Sequence, residues 1–146
     1  MLGAMLPESA LALERLLVRR RGMTSALVYA DAFERWGPRE GPEFERMSAE
    51  IATAMREHTE VTSELERTAQ ESDRAVVAAW AEAHVALLEH VASTTGDEDA
   101  QRTARRQIEE WRKVARGELA YVDECGGLVE IDAAQYAGYF GVSPAP

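Results

Sequence analysis

A chain of 146 residues, 46% apolar and 29% charged, is the size of one domain and can bury an ordinary core. Its formal net charge of −10 works against wrapping nucleic acid, whose affinity comes from neutralised phosphates, and against docking on an anionic membrane surface. A single cysteine, Cys125, excludes an intrachain disulfide and a cysteine-based metal cluster, which fits a reducing compartment.

The opening run "MLGAMLPESALALERLL" has no basic residues ahead of its apolar ones and is interrupted by Glu8 and Glu14, so it does not read as a signal peptide. No uninterrupted apolar run approaches the ~18 residues of a membrane span. The expectation is a soluble, cytoplasmic protein with no membrane partner.

Pro7 and Glu8 suit a helix N-terminus, and Leu13, Leu16, Leu17, Met23, Leu27, Ala30 and Phe33 recur at steps of about three and four, predicting a helix near 8–36. "GPREGP" (Gly37 to Pro42) ends it. From Glu43 to Thr95 there is neither Gly nor Pro, and Met47, Ile51, Ala54, His58, Val61, Leu65 and Thr68 form a coiled-coil-like seam. One helix over that whole stretch would be roughly 75 Å long. The polar "TAQESD" (Thr68 to Asp73) and the capping chemistry of Ser72 or Asp73 favour a break, giving helices near 43–70 and 73–93.

The second of these, "RAVVAAWAEAHVALLEHVAS", is apolar on most sides and is expected to be the most buried, with Glu82 and Glu89 as its polar strip. "TTGD" makes the next turn. Asp97, Glu98 and Asp99 then place negative charge at the start of a helix near 98–124, stopped by the glycines of "CGG". Within it, Ile108, Trp111, Val114, Ala115, Leu119 and Val122 should point inward, and Glu109 precedes Lys113 by four residues, a favourable surface pairing. A short helix near 132–140 follows Asp132.

The expected fold is therefore all-α: an up-down bundle of long helices, four-helix type, over 1–127, with a short C-terminal helix and tail over 128–146 packed on it. The expected core comprises Leu17, Leu27, Phe33, Ile51, Leu65, Val76, Trp80, Leu87, Trp111, Leu119 and Val122.

The histidines are the first candidates for chemistry. A helical di-iron site wants a carboxylate three residues before each histidine, but His58, His84 and His90 follow Met55, Ala81 and Leu87. His84 and His90 stand six apart, the wrong spacing for one zinc ion without a third ligand from elsewhere. The plain reading is seam or surface histidines, with the three kept as metal candidates only and no cofactor expected. "EAHVALLEHVAS" is superficially similar to the phosphotransfer helix of phosphorelay bundles, with His84 facing outward. That family has a Lys three residues after the histidine, where this chain has Leu87.

The carboxylates of the 43–70 helix are interspersed with Arg46, Arg56 and Arg67, as on a solvated face. No phosphate loop, nucleophile elbow or Ser/His/Asp signature is present, so an enzyme would need residues that converge only in space. Arg19, Arg20 and Arg21 are candidates for contact with an acidic partner. Arg102, Arg105, Arg106, Arg112, Lys113 and Arg116 read first as charge balance against the acidic middle helices.

Near the C-terminus, "YAGYFGV" resembles the first half of the helix-turn-helix motif of bacterial regulators. Tyr136 and Ala137 match its apolar–Ala pair, Gly141 its turn glycine, and Phe140 and Val142 the flanking apolar residues. The resemblance covers Gly126 to Val142. The recognition helix it implies should start near Ser143, three residues before the last residue, so no sequence-specific DNA binding by this chain alone is expected. The competing reading is a terminal amphipathic helix docking Ile131, Tyr136 and Phe140, with Tyr139 beside them as a contact aromatic. The sequence thus predicts a non-catalytic interaction and dimerisation module, in the manner of a regulator's regulatory part, with a protein partner or a second copy as its ligand. The alternative is a small helical metal-binding protein or enzyme using His and Glu residues that converge in space.

Overall fold

The computed structural model describes residues 6–122 together with 140 and 141. Regular structure among them is helical, with no strand. A 3-10 turn, Glu8–Ala10, leads into α1 (Leu11–Arg21), followed by α2 (Thr24–Trp36), α3 (Pro42–Glu71), α4 (Arg74–Thr94) and α5 (Glu98–Ala115). The expected break between 70 and 73 is present.

Two boundaries differ from the sequence reading, and each has a local cause. The helix expected over 8–36 is interrupted after Arg21. Gly22, a poor helix former, follows three consecutive arginines, and Met23 restarts the ladder by accepting from the amides of Ala26 (3.1 Å) and Leu27 (3.3 Å). The last long helix stops at Ala115, not near 124. Gly117 takes φ 80°, its amide donates to the Val114 carbonyl at 2.9 Å, and the Glu118 amide donates to Lys113 at 2.8 Å. This paired closure satisfies carbonyls that a helix end otherwise leaves bare, and it favours glycine at its left-handed position. At the other end of α5, the Asp97 carboxylate accepts from the Asp99 amide at 2.9 Å, as the acidic start of that helix suggested.

The described residues fall into two compact units, 6–17 with 63–122, and 18–62 with 140 and 141. In the first, α4 and α5 make an antiparallel hairpin. The Arg74 guanidinium donates to the Arg116 carbonyl near one end, and Trp80 and His84 meet Trp111 further along. Leu13, Leu17, Leu65, Val114 and Val122 complete the core around the two tryptophans. In the second, Val28, Ala32, Met47 and Val61 are buried, and the Phe33 and Phe44 rings stack at 5.9 Å.

The seam read on α3 is its inward face, since Met47, Val61 and Leu65 are buried and Ile51, Ala54, His58 and Thr68 half-buried. Two expected core residues are not: Leu87 is 39% and Leu119 37% exposed. Leu119 lies past the end of α5, where the helical periodicity that placed it inward no longer runs. Averaged over its most apolar stretch, α4 has a mean hydropathy of 1.3 and is long and apolar enough to cross a membrane by length and composition. Its Trp80, Ala81, Ala83 and His84 lie in the protein core.

Candidate functional site

The most chemically distinctive group of described residues is buried in the first unit. Helix α4 sets Trp80 and His84 four residues apart, hence on one face. Helix α5 brings Trp111 flat against the imidazole, with centroids 4.1 Å apart and planes 4° from parallel. The Trp80 ring stands edge-on to Trp111 at 4.9 Å, an arrangement in which positive ring edge meets negative ring face. Into this box α1 sends Glu14, whose Oε1 accepts the Trp80 indole N–H at 2.9 Å and lies 2.7 Å from His84 Nε2. Against an ionised Glu14, whose oxygen can only accept, the Nε2–H tautomer of His84 is the one that donates.

His84 is 1% exposed, and none of the described cavities is lined by it. Glu14 thus ties the polar groups of Trp80 and His84 on α4 together within a core. His84 does not face outward as the likeness to a phosphotransfer helix implies, because Glu14 and Trp111 cover its face of α4. The Trp111 indole nitrogen is itself buried with no hydrogen-bond partner among the described residues. The other histidines lie elsewhere, His58 half-buried on α3 in the second unit and His90 exposed near the end of α4. Among the described residues no three His, Cys, Asp or Glu side chains gather as a metal site would require.

Comparison with known proteins found no matching family, no matching curated relative and no matching solved structure.

The basic residues separate into distinct roles. Arg19 and Arg21 are exposed at the end of α1, while Arg20 is only 3% exposed and its Nε donates to Thr62 Oγ1 at 2.9 Å. On α5 most cations pair within their own helix. Arg102 meets Asp99 at 3.1 Å, Arg112 meets Glu109 at 2.8 Å, and Lys113 meets Glu110 at 3.3 Å, so Lys113 takes Glu110 where the sequence suggested Glu109. Glu89 of α4 lies 3.5 Å from Arg112.

Of the C-terminal candidates, Tyr136, Ala137, Tyr139 and Val142 lie outside the described residues. The Phe140 ring centroid sits 5.9 Å from Tyr29 and 6.4 Å from Phe33, and Gly141 has φ 76°. Sequence reasoning singled out Trp80 and Trp111 as core anchors but missed Glu14. The available signal was its place on α1 beside Ala10, Leu13 and Leu17, a carboxylate at the edge of a fully buried apolar stripe.

Proposed function

We propose that this protein is a non-catalytic helical module that associates with a second copy of itself and serves as the regulatory part of a transcriptional regulator. The observation that carries this reading is on α4. Trp80, His84, Leu87 and Val91 follow one another at steps of four, three and four, the spacing of a two-helix seam. Trp80 and His84 are buried, whereas Leu87 and Val91 are 39% and 37% exposed. The apolar line outruns its cover, and an isologous two-fold contact would pair it with its own copy. The up-down, four-helix-type order of the long helices belongs to the same proposal, as does the short C-terminal helix read from the sequence.

Sedimentation equilibrium tests it. A dimer is expected for the 146-residue chain, and Leu87→Glu with Val91→Glu should release monomers of unchanged helical content. A strictly monomeric particle at high micromolar concentration overturns the reading.

A further inference from the structure

The second unit carries an open groove of about 610 Å³ between α2 and α3. Its walls are apolar, with Leu27 and Phe33 contributed by α2 and Phe44, Ile51 and Met55 by α3. Phe33 and Phe44 stack with only 24° between their planes, which makes one end a flat aromatic wall. Small-molecule sites combine such a volume and lining with a few convergent polar groups. The polar lining here is Asp31, Glu34, Arg39 and Ser48.

Asp31 Oδ2 lies 3.1 Å from Arg35 Nε as an ion pair, though that oxygen is buried and accepts no hydrogen bond among the described residues. Glu34 and Arg39 are exposed, and neither has an ion-pair partner among the described residues. The one hydrogen bond of the Arg39 guanidinium is a long one, 3.5 Å to the Arg35 carbonyl. One groove thus presents an unspent donor-only cation and an unspent acceptor-only anion beside an aromatic wall.

The geometry points to a binding site for an apolar small molecule with a zwitterionic head. Its tail lies along Phe33, Phe44, Ile51 and Met55, its carboxylate meets Arg39, and its ammonium meets Glu34. A head of one sign satisfies one of the two groups and leaves the other facing a like charge or nothing. A zwitterion satisfies both by charge-assisted hydrogen bonds. The site lies within the second unit and does not rest on self-association through α4.

Isothermal titration of the full chain with 2-aminodecanoate, decanoate and decylamine, each below its micellar concentration, tests the assignment. The zwitterion should bind once per chain, about fivefold more tightly than either single-charge probe, the size of effect that exposed ion pairs supply. Arg39→Gln should lower 2-aminodecanoate to the affinity of decylamine, and Glu34→Gln to that of decanoate. Met55→Glu should abolish binding of all three while circular dichroism shows the helices intact. Absence of binding, equal binding of the three probes, or indifference to both rim substitutions overturns the assignment. So does light scattering in which Met55→Glu dissociates a dimer, because the occupant of the groove is then a second copy.

Discussion

Glu14 Oε1 stands 2.7 Å from His84 Nε2 and 2.9 Å from Trp80 Nε1, so one carboxylate oxygen serves two buried donors of another helix. Trp80 and His84 are buried in the core of the first unit, and Glu14 is the acceptor that α1 brings to both. Removing the acceptor strands both at once. Glu14→Ala should therefore destabilise the protein by about 2–4 kcal/mol, and Glu14→Gln, which keeps a carbonyl acceptor, by less. Urea unfolding followed by circular dichroism measures both. An alanine variant within about 0.5 kcal/mol of the parent, the scatter of ordinary surface substitutions, would show that the contact carries no stability.

The end of α5 depends on a residue without a side chain. Gly117 has φ 80°, and a β-carbon there would run into the Arg74 guanidinium. Gly96, in the turn before α5, has open space where its β-carbon would be. Gly117→Ala should cost about 1–2 kcal/mol, while Gly96→Ala should be neutral within about 0.5 kcal/mol. Equal thermal midpoints for the two variants would contradict this account of where the helix stops.

At the start of α3, Arg46 Nη2 lies 2.7 Å from Glu43 Oε2 and Nη1 lies 3.2 Å from Glu50 Oε1. The hydrogen bond from Arg46, and then its charge, hold the Glu43 carboxyl below its ordinary value of 4.5. A lowered folded-state value means that the stabilisation is present above pH 4.5 and is lost as pH falls through the folded-state value. The group is fully exposed, so the effect is small and screened by salt. Glu43→Gln should flatten the acid limb of the stability–pH curve at low ionic strength and leave the limb above neutrality unchanged. An identical acid limb in the two proteins would rule out this contribution.

Binding to DNA is expected to be weak. The net charge is −10, and Arg102, Arg112, Lys113 and Arg116 of the basic stripe each lie within 3.3 Å of a carboxylate of their own segment. Few cations are left to displace counterions from phosphate. A fluorescence-anisotropy titration at physiological salt should give no sequence preference. Any residual affinity should vanish as salt rises. Nanomolar, selective binding by the 146-residue chain would defeat this expectation.

Much of the helical layout was legible from residue order. Gly37 to Pro42, the polar stretch before Arg74, and the acidic residues around Glu98 mark helix ends because termination and capping depend on neighbours within one turn. The inward faces of α3 and α5 were legible too, since burial of Leu65, Ile108, Trp111 and Val114 follows the helical period. Gly117 was a local signal as well, overlooked in favour of the later glycine pair.

What only the tertiary structure decided concerns partners distant in sequence. Glu14 and His84 are 70 residues apart and Arg20 and Thr62 42 apart; the buried neighbours of Glu14 on α1 place it at the edge of a core, but they do not name its partner. Periodicity marks a stripe as apolar without saying how far its cover extends, which is why Trp80 is buried while Leu87, on the same line of α4, faces solvent. Helix ends are set by backbone hydrogen bonds a few residues long. Burial of a polar group is set by whichever helix arrives over it, and that depends on the packing of the whole unit.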